Sequence, residues 1–236
     1  MQETSEVRSV KWLIRLIEAD PELNQLAEFA AKHLSRDPGH DYAHALRVAL
    51  WGLRIGEGYG NQRHIIAAAL LHDIVNPPKN SELRKKASTL SASKAESLLP
   101  KYGFKPEAIR QISAAIRDHS YSRGATPTEA LGKILQDADR LEALGAIGIM
   151  RCVSTGVQMG GQLFQATDPW AQDRQRDDKS YAIDHFFIKL FRLPETMQTE
   201  MGRQEALRRI GLMEDFLSAL GDEIGHPWVP DSKTSA

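Results

Sequence analysis

The sequence predicts an all-α protein, and three observations carry that prediction. Apolar residues recur at spacings of three and four along most of the 236 residues, as on one face of a helix. Start and stop signals cut the chain into helix-length segments. No run of useful length alternates apolar and polar residues as a half-buried strand would. In order, Val10, Leu13, Ile14 and Ile17 mark a helix over 6–18. Asp20-Pro21-Glu22 starts a second, with Asp20 as N-cap and Pro21 in the first turn, running to about Leu34. Pro38-Gly39 breaks it, and a third helix follows from about Tyr42 to Gly56. Asn61 caps a fourth, whose string RHIIAAALLHD is apolar enough to be central; two prolines at 77 and 78 end it. Further helices are predicted at 91–101, at 106–118, from Thr128 past Gly145 with a break, at 181–193 and at 203–224. The segment 154–180 is rich in Gly, Gln and Asp and has no periodicity, the pattern of a long loop that acts as a lid or binding loop. The tail 226–236 is expected to fray.

Composition excludes several classes. Thirty basic against 31 acidic side chains give a net charge of −1, which argues against broad attraction to nucleic acid or an anionic membrane. The one dense basic run, Arg84-Lys85-Lys86, lacks interleaved aromatics and reads as a solvated face, so nucleic acid is not an expected partner. Cys152 is the single cysteine and cannot form an intrachain disulfide; a buried core thiol is its expected role. There is no signal-peptide pattern and no apolar run near the ~20 residues that span a bilayer, so a cytoplasmic protein without a membrane partner is expected.

Metal sites in hydrolases need neutral imidazoles and carboxylates that converge on one point. His44, the adjacent His72-Asp73 and Asp139 stand in suitable contexts. His72-Asp73 ends a very apolar helix, where polar groups at the edge of a core need compensation that a divalent cation would supply. Asp139 lies in LQDADRLEALGAIG beside a rival, Asp137, which points elsewhere on the helix. Singly, each of these residues reads as readily as a cap, a salt bridge or a hydrogen-bonded core histidine, and a second His-Asp pair stands at His40-Asp41.

The ordered set H…HD…D, in the contexts GHDYAHALRV, AALLHDI and LQDADRLEALGAIGI, resembles the HD-domain metal-dependent phosphohydrolase superfamily. With SYAIDHFFIKLFRLPETMQT it is similar to the small stand-alone YedJ/YpgQ-like branch, over about residues 38–220. The resemblance implies a compact helical HD-domain bundle, one domain over 1–225 with its core at about 38–155 and a C-terminal helical extension at about 181–224. It implies His44, His72, Asp73 and Asp139 as metal ligands; Asp139 is preferred to Asp137 because Arg140-Leu141 follow it as in the family pattern. Mixed nitrogen and oxygen ligation suits one divalent ion, Mn, Co, Fe, Ni or Zn. A single ion is expected because His119 is the only histidine between the HD pair and Asp139, whereas two-metal members carry neighbouring histidines there. The implied activity is hydrolysis of a small phosphate ester or anhydride by metal-bound hydroxide. A nucleotide is the expected substrate, and pyrophosphate release from a nucleoside triphosphate is one option.

The remaining assignments follow from that chemistry. Negative charge builds on phosphate oxygens during in-line attack, and Lys79, Arg84 and Arg140 are candidates to neutralise it. Asp73 and His119 are the candidate catalytic groups, His119 contacting phosphate or protonating the leaving group. His185 and Lys189, in the family's C-terminal motif, either close over the substrate phosphate or anchor the last helices. His40 and Glu142 are expected to support the ligands from outside; for Glu142 a plain helix salt bridge is an equal reading. His33 and His64 read as helix-surface residues and His226 as inert. A different class, a non-catalytic helical module that binds metal or nucleotide, is disfavoured by the complete ligand set.

Overall fold

The computed structural model describes residues 9–229 apart from 36, 38, 78–80, 121 and 122. The only β feature among them is an isolated parallel bridge between Gln162 and Tyr181. The chain forms two compact units, Met1–Arg140 and Leu141–Ala236.

The N-terminal unit contains α1 (Val10–Glu18), α2 (Pro21–His33), α3 (Tyr42–Ile55), α4 (Gln62–Leu71), α5 (Ala87–Leu98), α6 (Pro106–Asp118) and α7 (Ala130–Leu141), with 3₁₀ segments at Glu82–Lys86 and Leu99–Tyr102. Four starts are closed by the residue types the sequence advertises. Ser9, Asp20, Asp41 and Asn61 accept the amides of Trp12, Leu23, His44 and His64 at 3.2, 3.0, 2.7 and 3.1 Å; each cap is worth about 1 kcal/mol. α4 is the central helix: Ile65 through Leu71 are all buried, and α2, α3 and α6 pack around it. Gly52 lets α3 approach α4, since a Cβ there would sit 2.7 Å from Ile65 Cγ2. α5 begins four residues before the predicted 91, and the predicted end over 99–101 is a 3₁₀ turn. Pro100 has no amide to continue the α pattern, and Gly103 closes the turn at φ 70°.

The C-terminal unit holds α8 (Gly145–Gln158), α9 (Asp184–Ile188), a 3₁₀ segment Leu190–Thr196 and α10 (Glu200–Ile224). Here several expectations are corrected. α8 runs through 154–158, so the irregular segment starts later than predicted. The predicted helix over 181–193 is split into α9 and the 3₁₀ turn, because Pro194 lies within it and cannot donate an amide. α10 starts at Glu200 rather than 203, where Thr199 accepts the Gly202 amide at 3.0 Å. The segment before α9 is ordered by Arg174, which holds buried Asp184 through two bonds of 2.6 and 2.8 Å. Residues 226–229, expected to fray, are tied down: the His226 amide donates to Gly221 O at 3.0 Å. Its carbonyl accepts from Nε1 of buried Trp170 at 2.8 Å. No helix among the described residues is long and apolar enough to cross a membrane.

Candidate metal centre

Four helices of the N-terminal unit each deliver a side chain to one point. His44 stands in the first turn of α3, its amide held by the N-cap Asp41. His72 is the C-cap of α4, with Asp73 directly after it. His119 is the C-cap of α6, and Asp139 lies near the end of α7. Both C-cap histidines turn Nδ1 back onto the carbonyl three residues earlier, His72 onto Ala69 O at 2.7 Å and His119 onto Ile116 O at 2.6 Å. A carbonyl only accepts, so Nδ1 carries the proton, and in the neutral ring Nε2 presents its lone pair to the site.

The spacings suit one ion. His44 Nε2 lies 3.2 Å from His72 Nε2 and 3.5 Å from Asp139 Oδ1. Asp73 Oδ2 lies 3.3 Å from His72 Nε2 and 4.0 Å from His44 Nε2, and Asp139 Oδ1 lies 3.8 Å from His72 Nε2. Ligands about 2.1 Å from an ion stand about 3.0 Å apart when adjacent and about 4.2 Å when opposite. Among the described residues the candidate ligand groups are His44, His72 and Asp139, and His72, Asp73 and His119. His119 Nε2 faces the other oxygen of Asp73, at 3.9 Å from Oδ1.

Burial and charge act in opposition here. Burial pushes the pKa of His72 down, yet the charges of Asp73 and Asp139 and the hydrogen bond with Asp73 hold it up at about 9. Burial likewise raises Asp73 and Asp139, but the surrounding imidazoles hold both carboxyls below the ordinary carboxylate range. His119 is lowered, by burial first and then by the neighbouring charge of His72. The two acids are thus ionised, and His119 is neutral and ready to accept.

Other sequence-predicted residues fall in different places. His40 lies just before α3 and makes a 2.9 Å contact with Asp37 Oδ2 through Nδ1; its ring stands edge-on to His44 at 6.2 Å, and its charge helps to lower Asp73. Asp137 is buried and joins neither ligand group; its charge, after burial, raises the hydroxyl of Tyr59. Arg140 is 9% exposed, so it enters the core rather than an open surface. Lys79 lies outside the described residues, and of Arg84 only the backbone, in a 3₁₀ turn, is described. Glu142, His185 and Lys189 belong to the C-terminal unit. Glu142 is buried and its carbonyl accepts from Arg151 at 3.1 Å. His185 pairs with Asp178 at 2.7 Å.

Sequence reasoning missed two supports. Gln136 is fully buried on α7, and its Nε2 donates to Asp118 O and Ala125 O, both at 3.0 Å, clamping the chain on either side of His119. Ser91 Oγ accepts the Val75 amide at 3.1 Å and donates to Val75 O at 3.3 Å, fixing the turn after Asp73. The available signal was a polar residue at a core position of each helix.

Comparison with known proteins identifies a family and relatives for this chain. Residues 41–144 match the HD domain family. The chain is 34% identical over 191 residues to the Bacillus subtilis protein YpgQ, covering 79% of this chain and 85% of that protein. The crystal structure of YpgQ in complex with ADP superposes with a TM-score of 0.68 at 29% identity, over 86% of this chain and 94% of that one. An HD-superfamily hydrolase from Bacillus thuringiensis superposes with a TM-score of 0.65 at 30% identity, over 86% and 96% of the two chains.

Proposed function

The chain belongs to the HD-domain family of metal-dependent phosphohydrolases, in its YpgQ-like branch, and from that premise we propose that His44, His72, Asp73 and Asp139 hold one divalent cation and that the substrate is a nucleotide. The observation that carries the reading is that the Nε2 atoms of His44 and His72 lie 3.2 Å apart and each lies within 4.0 Å of an oxygen of both Asp73 and Asp139. A divalent cation bound there supplies Lewis acidity toward a phosphoryl oxygen and lowers the pKa of water. Mn²⁺ and Co²⁺ are the ions to test first, given the mixed nitrogen and oxygen donors.

The chain's own residues divide the remaining work. Asp73 turns one oxygen toward the imidazoles of His44 and His72 and the other toward His119. The 3.9 Å gap between that second oxygen and His119 Nε2 suits a bridging oxygen atom, from water or phosphate. In this arrangement neutral His119 accepts the proton lost by the attacking water, and the second oxygen of Asp73 orients that water. For His119 to contact phosphate as a donor or to protonate the leaving group, it must first gain that proton, which makes proton return the later half of the cycle. The nucleotide assignment is supported by the ADP complex of YpgQ. A cytoplasmic location is supported by the single cysteine, which cannot form an intrachain disulfide.

The test is to measure bound metal and assay a panel of nucleoside mono-, di- and triphosphates with Mn²⁺, Co²⁺ and Mg²⁺, identifying products by mass. Asp73→Ala and Asp139→Ala are expected to lose both metal and turnover. A wild-type protein that binds metal but turns over no phosphate compound would instead favour a binding module.

A further inference from the structure

The C-terminal unit carries an aromatic cavity of about 200 Å³, where the chain at 170–176 meets α9, the 3₁₀ segment after it and the residues that follow α10. Trp170, Phe187, Phe191 and Trp228 supply its rings and Gln172 an amide, and among the described residues that line it Arg176 alone is charged. The volume lies below the range of about 300–1,000 Å³ that takes drug-sized ligands, so a fitting occupant is small. The Arg176 guanidinium stands over the Phe187 ring at 4.3 Å from its centre, and among the described residues no carboxylate pairs with it. Arg174, two residues earlier, is by contrast committed to buried Asp184 and to the ring of Tyr181. A guanidinium stacked on a ring keeps N–H donors at its edge, the fork that grips a carboxylate through two parallel hydrogen bonds.

Three features of the fold fix the walls. Nε1 of buried Trp170 donates to His226 O at 2.8 Å, so the one donor of that indole is already used and the ring offers the cavity an apolar surface. Gly221 lets the chain after α10 fold back over the helix, since a Cβ there would meet the Trp228 amide nitrogen at 2.7 Å. Ala171 is held at φ 54°, the only non-glycine with a positive φ among the described residues. Strain of this kind persists only where the surroundings impose it, and the Asp168 carboxylate does so by accepting the amides of Gln172 and Asp173 at 2.8 and 3.1 Å. Rings select a planar body, and one guanidinium without a carboxylate partner selects one negative charge; a polyphosphate would call for several cations. We infer that this cavity is a binding site for a small aromatic carboxylate, its ring against Trp170, Trp228 and Phe191 and its carboxylate on Arg176. None of these residues is a proposed metal ligand or catalytic group, and binding here requires no metal.

Tryptophan fluorescence titration of the full-length protein in EDTA tests it, with phenylacetate, phenylacetamide and acetate as probes and calorimetry as the second readout. Trp170 and Trp228, two of the four tryptophans, line the cavity and report its occupancy. Phenylacetate is expected to bind saturably, phenylacetamide about tenfold more weakly for want of the charge-assisted hydrogen bonds, and acetate not at all. Arg176 is exposed, so Arg176→Gln is expected to keep the wild-type circular dichroism spectrum. That variant should weaken phenylacetate binding about tenfold and bind acid and amide equally, whereas Asp73→Ala binds phenylacetate as the wild type does. No saturable binding by the wild type, equal wild-type affinity for acid and amide, unchanged phenylacetate affinity in Arg176→Gln, or loss of binding in Asp73→Ala would each overturn the proposal.

Discussion

Metal and proton compete for the same lone pair on His72, and the size of that competition can be worked from the site. Nδ1 of His72 is committed to Ala69 O, so any second proton sits on Nε2, where Asp73 Oδ2 at 3.3 Å and Asp139 Oδ1 at 3.8 Å stabilise it. With the pKa held at about 9 in the metal-free site, only about one ring in a hundred offers a free Nε2 at pH 7, a cost to metal binding of about 3 kcal/mol. The apparent affinity for Mn²⁺ or Co²⁺ should therefore rise about tenfold per pH unit between pH 7 and 8 and level off above 9. Titration calorimetry in two buffers of different ionisation enthalpy should count about one proton released per ion at pH 7, falling toward zero above pH 9. The carboxylates do not contribute, because both are ionised throughout that range, and neither does His119, whose pKa is lowered. Metal-free stability carries the matching sign. The raised pKa of His72 contributes stability fully below about pH 6.5, its unfolded value, and that contribution is lost as pH rises through about 9. An affinity that stays constant from pH 6.5 to 8.5, with no proton released, would refute the reasoning.

Three further outcomes are expected. His119→Gln should retain near-stoichiometric metal while lowering kcat by about 10²–10⁴-fold, the usual range for a group that moves a proton; loss of the metal would make it a ligand instead. Gly52→Ala should destabilise the fold by about 1–3 kcal/mol in urea unfolding, since overpacking against a core neighbour costs that much and the new Cβ would lie 2.7 Å from Ile65 Cγ2. Arg174→Ala should cost about 3–5 kcal/mol, because it removes the cation paired with a fully buried carboxylate, Asp184; a change under about 1 kcal/mol, the value of a surface pair, would contradict that burial.

What the sequence determined by itself is local. Caps at Asp20 and Asn61, the apolar run of α4 and the prolines that stop helices act through neighbours a few residues away, and each stands where the sequence predicts it. Boundaries slipped where a residue permits two outcomes, as at Pro194, which ends an α pattern but sits within a 3₁₀ turn. The H…HD…D order was legible through its resemblance to the HD superfamily pattern, since each of its residues taken singly reads as readily as a cap or a salt bridge. The resemblance preferred Asp139 to Asp137, and the tertiary structure supplies the physical reason: α7 presents two residues two apart to different neighbours, Asp139 toward the imidazoles and Asp137 toward Tyr59. It also decided that Gln136 and Ser91 brace the site and that Trp228, distant in sequence from Arg176, shares a cavity with it. Distances, burial and pKa values arise between segments far apart along the chain, and no spacing within a helix encodes them.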